Sequence, residues 1–313
     1  MEIYLPIAGM SINLFLVVGI GGMVGFLSGL FGVGGGFLLT PLMMMIGIPP
    51  AVAAASDSNQ ICAAAASGAF AHWRLGNVDF KMGGVILAGG ILGGTIGVQL
   101  VKILRAMGNF EFVMKVVYVI MLGLVGSAMF IESLRTIRAS RGLDPGVAAA
   151  PAGEPKLARL FAKLPLKMHF ERSGLHTSAI FPFTIGTIVG IMAALLGVGG
   201  GFIMVPAMIY IIGMPTIAAI GTDLFQIVLT SANVTLQQAF VNKTVDLLLA
   251  LILLAGSTIG AQFGAAFGKR LKGEQIRILL AIIVLTLTVK LFLDLVLTPS
   301  DLVSLAPAKG GGH

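Results

Sequence analysis

Two stretches of this chain place polar, chemically able residues inside apolar surroundings. Ser56-Asp57-Ser58-Asn59-Gln60 sits between the apolar runs 51–55 and 61–66. Thr222, Asp223 and Gln226 sit in a second apolar run, with Thr230, Ser231 and Asn233 following. A carboxylate in a membrane-spanning helix costs about 2.5–3.5 kcal/mol on insertion scales, so one in each run asks for a reason. The hydroxyls and amides of Ser58, Asn59, Gln60, Thr222 and Gln226 can donate hydrogen bonds to an oxyanion. An ionised carboxylate would repel that ion at close range. Asp57 and Asp223 therefore read as protonatable coupling groups, or as caps on helix ends, not as direct ligands.

Each polar stretch follows a glycine run. Gly32-Val-Gly-Gly-Gly-Phe37 recurs letter for letter as Gly197-Val-Gly-Gly-Gly-Phe202. Three glycines in a row interrupt a helix and strand backbone N–H groups, which hydrocarbon tolerates only where they are buried in protein or line a polar cavity. If Phe37 and Phe202 open new half-helices, Gly34, Gly35, Gly36, Gly199, Gly200 and Gly201 offer free N–H groups and positive dipole ends to an anion. The competing reading is a tight turn that serves only helix packing.

The elements holding these groups must be membrane helices. Of 313 residues, 57% are hydrophobic and 11% charged, against about 25% charged in soluble domains. Apolar segments run over 12–31, 37–48, 50–71, 82–101 and 112–131, then over 178–196, 202–213, 215–240, 245–268 and 276–297. All but 37–48 and 202–213 come near or reach the roughly 20 residues that span a bilayer. The chain start reads as a first spanning helix, not a removable signal.

The two sets of segments are copies. Pro41 matches Pro206, Gly47-Ile-Pro49 matches Gly213-Met-Pro215, Gln60 matches Gln226, and Val78-Asp79 matches Val245-Asp246. Thr95-Ile-Gly-Val-Gln99 matches Thr258-Ile-Gly-Ala-Gln262. The predicted fold is an all-α polytopic membrane protein with two inverted repeats of about five segments each, four spanning and one short or discontinuous. Re-entrant or broken helices are placed at the Gly-rich loops. Residues 1–131 form the first repeat, 132–177 a linker, 178–298 the second repeat and 299–313 a tail. Basic residues gather at 74–81, 135–172 and 269–277, which puts the linker in the cytoplasm of a bacterial inner-membrane protein. Within the linker, Leu157, Leu160, Phe161 and Leu164 oppose Lys156, Arg159, Lys163 and Lys167, as in a basic amphipathic helix lying on an anionic leaflet.

Enzyme signatures are missing from the sequence. It has no His-Glu-x-x-His, no Gly-x-Ser-x-Gly, and no Lys-Ser/Thr after either glycine run. One cysteine and four scattered histidines give no ligand spacing, so neither metal nor cofactor is predicted. The net charge of +7 lies in the loops and suits lipids better than nucleic acid. Glycines at 93 and 97, and at 256, 260, 264 and 268, form small-residue faces. These read as internal helix seams first and as a homodimer surface second. Lys290 and Asp294, four apart on the last helix, are expected to pair.

These residues together resemble the TauE/SafE family of sulfite and organosulfonate transporters. The likeness is carried by Phe31-Gly-Val-Gly-Gly-Gly-Phe37 with Pro41, Ala55-Ser-Asp-Ser-Asn-Gln60, His72-Trp-Arg-Leu-Gly76 with Val78-Asp79, and their second copies through Gly197–Pro206, Gly221-Thr-Asp-Leu-Phe225 and Val245-Asp246. It implies a secondary carrier, usually an exporter, of a small sulfur-containing anion such as sulfite or an organosulfonate, moved by alternating access. The long basic insert departs from the compact family pattern. An anion channel, or a membrane scaffold or sensor using that insert, are the alternative readings.

Overall fold

A computed structural model describes residues 2–31, 36–140, 166–170, 172–268 and 273–297. Gly34, Gly35 and the basic segment around Leu157–Leu164 lie outside the described residues. The first half contains β1 (Glu2–Leu5), β2 (Met10–Asn13), α1 (Leu14–Phe31), α2 (Gly36–Met45), α3 (Pro50–Arg74), α4 (Phe80–Ala106) and α5 (Phe110–Ser140). The second half repeats the order as β3 (Lys167–Phe170), β4 (Leu175–Ser178), α6 (Ile180–Leu196), α7 (Gly201–Pro206), α8 (Thr216–Gln237), α9 (Leu247–Gly268) and α10 (Gly273–Val296). α7 continues as a π-helical turn, Ala207–Ile212, and α8 as another, Gln238–Asn242. Five stretches are long and apolar enough to cross a membrane: Phe80–Ala106, Phe110–Ile131, Thr216–Asn242, Leu247–Gly264 and Ile278–Val296. The protein is thus an all-α polytopic membrane protein. α3 has 25 residues, about 37 Å at 1.5 Å per residue, but its Ser56–Gln60 stretch lowers its hydropathy.

The short helices stop and restart by local chemistry. Gly47 and Gly213 take positive φ (91° and 87°) after α2 and the α7 extension, ending each with a left-handed residue. Pro49 and Pro215 then stand at the N-caps of α3 and α8, where a missing N–H is no loss.

Packing crosses between the halves. α1 lies on α9 and α4 on α6, the two most extensive helix pairs; α3 meets α8, and α5 meets α10. Gly89, Gly93 and Gly97 face Phe183, Thr187 and Ile191 in order, and Gly21 and Gly25 face Leu253 and Ser257, so both large pairs run parallel. A Cβ at Gly93 or Gly260 would strike the backbone of the neighbouring helix. These glycine faces are seams inside one chain. In α3 and α8 the numbering runs oppositely: Gly68 faces Leu224, and Cys62 donates to the Val228 carbonyl at 3.4 Å. Gly123 and Gly126 face Thr288 and Val284, so α5 and α10 are also antiparallel.

Two antiparallel hairpins, β1–β2 and β3–β4, precede α1 and α6. The apolar pattern foreshadows neither hairpin; β3–β4 falls within 132–177, the expected linker, and α5 runs on past Ile131 to Ser140. Each hairpin is tied to the opposite half. Asp79 N-caps α4 through Met82 N–H (3.0 Å), and its Oδ2 accepts from Ser173 N–H (3.1 Å) and Oγ–H (2.6 Å). Asp246 caps α9 through Leu249 N–H (3.2 Å) and accepts from Ile7 N–H (3.1 Å). Because α3 and α8 are antiparallel and each leads by a short turn into its capped helix, these two ties lie at opposite ends of the bundle. The expected Lys290–Asp294 pair is not formed; both side chains are exposed, where such a pair is worth little.

Candidate substrate site

The two helix starts meet at the centre. Phe37 and Phe202, each the residue after its glycine run, stack with ring centroids 4.2 Å apart and planes 11° apart. Both are buried. Ile61, midway along α3, covers both Gly36 and Gly199, and a Cβ at Gly36 would lie 3.3 Å from the Val198 carbonyl oxygen. Gly199 and Gly200 have φ of 71° and 89°, a left-handed pair that turns the chain from α6 into α7. The first turn of α7 has no side-chain capping bond at its N-cap, Gly200.

The two aspartates are buried and engaged differently. Asp57 Oδ2 accepts from Thr40 Oγ–H at 2.7 Å, one turn into α2, while its Oδ1 is buried without a partner among the described residues. Asp223 instead lies against the start of α7: a Cβ on Gly201 would sit 2.8 Å from its Oδ2. Asp223 Oδ1 accepts from Gln226 Nε2 at 2.9 Å, and Gln226 Oε1 accepts from Thr230 Oγ–H at 3.0 Å. Thr230 Oγ1 and Gln226 Oε1 both face Gly90 on α4. Gln60 reaches in the equivalent direction from α3, donating to Ser257 Oγ on α9 at 2.8 Å.

The structure therefore brings together Gly36, Gly199, Gly200, Gly201, Asp223 and Gln226. It engages other candidates elsewhere. Ser58 Oγ–H donates to the Ala54 carbonyl within its own helix at 3.0 Å. Thr222 Oγ1 accepts from Asp79 N–H at 3.0 Å, which ties the α3–α4 turn to α8. Asn59 is half-buried on α3. Ser231 is an addition: its hydroxyl is buried without a partner among the described residues, and a Cβ on Gly199 would lie 3.4 Å from it. Its place two turns beyond Asp223, on the same helix, was a signal in the sequence. What it faces depends on the other helix and was not.

This architecture has known relatives. The family described as "Sulfite exporter TauE/SafE" matches residues 17–291. A Bacillus subtilis protein named "Probable membrane transporter protein YjnA" is 27% identical over 284 residues, 90% of this chain and 100% of its own length. A second from that organism, "Probable membrane transporter protein YunE", is 26% identical over 294 residues, 91% of this chain and 98% of its own. A "Probable membrane transporter protein" of Xylella fastidiosa is 28% identical over 265 residues, covering 84% and 88%. No solved structure matches. With the family pattern running from α1 into α10, this chain belongs to the TauE/SafE family and is a membrane transporter, not an enzyme.

Proposed function

We propose that the protein is a secondary carrier that exports a small sulfur-containing anion, such as sulfite or an organosulfonate, across the bacterial inner membrane. The Phe37–Phe202 stack carries this reading. It sets two helix starts side by side at the level of mid-α3, where the first-turn N–H groups of a helix have no partner within the helix and its dipole end is positive. Such paired half-helix starts suit an anion held without a fixed cation. The antiparallel crossings of α3 with α8 and of α5 with α10 support inverted repeats, which alternating access by rocking one half on the other uses. The central loop is assigned to the cytoplasm from its basic residues.

Asp223 supplies a route to coupling. Its carboxylate lies where an oxyanion approaching Gly201 would come, so ion and ionised Asp223 compete. Protonation of Asp223 removes the repulsion and opens the α7 start to the anion. Asp57, held on Thr40, is the second coupling candidate. Ser231 and Gln226 supply donors around the ion, while Gln60 is bonded to Ser257 on α9.

Uptake of labelled sulfite into proteoliposomes under an imposed pH gradient tests this. Saturable, gradient-driven flux is expected, and Gly201→Leu should reduce it to the protein-free level while insertion persists. Normal flux in Gly201→Leu overturns the site. Flux that neither saturates nor supports counterflow means a channel.

A further inference from the structure

From the anion site onward, α8 carries a row of polar residues. Ser231, Thr235, Gln238 and Asn242 follow at intervals of four, three and four, so they share one face of the helix. Elsewhere in the bundle, helical threonines return their hydroxyls to the carbonyl one turn back. Thr184, Thr187 and Thr288 do so onto Ile180, Phe183 and Val284 at 2.8, 3.0 and 2.8 Å. Ser231 and Thr235 do not; both hydroxyl oxygens are buried without a partner among the described residues. A buried donor left unmet is costly, and each such group asks for a reason. Gln238 and Asn242 continue the face as a bonded pair. Asn242 Nδ2 donates to Gln238 Oε1 at 2.6 Å, and the pair reaches the Ala194 carbonyl on α6 (3.2 Å) and the Val98 carbonyl on α4 (3.3 Å). At its end Arg105, itself exposed, donates from Nη1 to the Asn242 carbonyl at 3.0 Å. Ser231 to Asn242 covers about 16 Å along the helix axis, about half of a hydrocarbon core.

The first half separates what the scaffold needs from what it does not. Counting from Asp57 as from Asp223, Ala65 and Ala69 stand at the positions of Ser231 and Thr235, and His72 at that of Gln238. The two free hydroxyls are therefore not a requirement of the repeat. One more residue separates Gln226 from Asp246 than separates Gln60 from Asp79, and α8 takes it up in the π-helical turn Gln238–Asn242. Single π-helical turns of this kind recur at functional sites. The second half thus has both the free donors and the irregular turn that ends their row.

Building on the carrier reading, we infer that this face of α8 is the passage by which the small anion leaves the central site for the Arg105 end of the bundle, with the Gln238–Asn242 pair as its gate. Neutral hydroxyls and amides can donate to an oxyanion, yet they release it more readily than a buried cation does, as a conducting path requires. Arg105 and Lys243, both exposed, give the mouth a positive field. Two carboxylates at that end are already engaged, Asp246 by Leu249 and Ile7 N–H, and Glu111 by Lys115 at 2.7 Å. The amide pair bridges α4, α6 and α8, so parting these helices opens the gate. With the linker in the cytoplasm, α5 runs from Phe110 towards it, and the Arg105 end faces outward, as export requires.

Thr235→Val keeps the side-chain shape and removes a hydroxyl that bonds nothing in this structure. A purely structural role predicts normal flux and a melting midpoint that is unchanged or raised. The passage predicts the same midpoint, with the maximal rate of labelled sulfite flux in proteoliposomes lowered about ten-fold, as for a lost bond to a charged group. A second measurement needs no sulfite. In the full chain carrying Cys62→Ala, which removes the one native thiol, Thr235→Cys is treated in sealed vesicles from the Arg105 side. The probes are 2-sulfonatoethyl methanethiosulfonate, an impermeant anion, and its trimethylammonium counterpart. Scaled to free cysteine, the anion should label about ten-fold faster than the cation, and Leu236→Cys, exposed on the neighbouring face of α8, should show no such preference. Normal flux in Thr235→Val overturns the passage, as does labelling of Thr235→Cys that is absent or equal for the two charges. A wild-type chain that carries no sulfite overturns the carrier reading instead, and the labelling then decides the passage by itself.

Discussion

The two halves of this molecule share a scaffold and differ in their carboxylates. In the first, Asp57 is turned onto the Thr40 hydroxyl, inside α2 and away from its start. In the second, Asp223 stands over Gly201 at the first turn of α7 and is held by the Gln226–Thr230 chain. Thr40 has Val205 as its counterpart, so the second half offers no hydroxyl to draw its carboxylate aside. The repeated sequence places one aspartate in each half, and the residues around it decide what each one faces. This comparison is why we propose Asp223, not Asp57, as the coupling group that responds to the anion.

The sharpest way to break that assignment is to neutralise each aspartate. Asp223→Asn keeps shape and removes the proton, so gradient-driven accumulation of sulfite should fall at least ten-fold (about 1.4 kcal/mol) while anion–anion exchange persists. Asp57→Asn should lower both modes together by about three-fold or less, well under one pKa unit's worth of energy. Equal loss of gradient coupling in the two variants would make the halves equivalent.

The latches give a smaller effect, read as thermal stability in detergent. Asp79→Ala leaves three donors without their acceptor and Asp246→Ala leaves two, at about 1 kcal/mol or more for each buried one. The midpoint should fall further for Asp79→Ala, and the reverse order would show that hairpin β1–β2 bears more of the load. The smallest effect belongs to the glutamines. Gln60→Leu removes one interhelical bond, about 0.6 kcal/mol in comparable membrane proteins, with little change in flux. Gln226→Leu should lower flux more than it lowers the melting midpoint, because it releases Asp223.

The helices were legible because membrane burial writes itself as long apolar runs. All ten segments read from the sequence correspond to helices, down to the short pair after the glycine runs. The hairpins were hidden because four-residue strands with mixed exposure, such as Glu2–Leu5, leave no periodicity above background. At the site, residue type was legible and direction was not. Thr222 and Ser58 have the right groups, but whether a hydroxyl meets an anion, a carbonyl or the N–H of Asp79 depends on which helix lies opposite. Val78-Asp79 and Val245-Asp246 were visible as repeated marks. Their partners, Ser173 and Ile7, lie in the other half, beyond the reach of any local pattern.

The pairing of α1 with α9 has a consequence for how the chain is made. Synthesis delivers α1 to the bilayer first, yet Gly21 and Gly25 close on Leu253 and Ser257, which emerge more than two hundred residues later. Until then the ribosome has released a half whose tightest seam has no mate, and α4 likewise waits for α6. Each half thus leaves its most extensive seam open until the last third of the polypeptide joins the first.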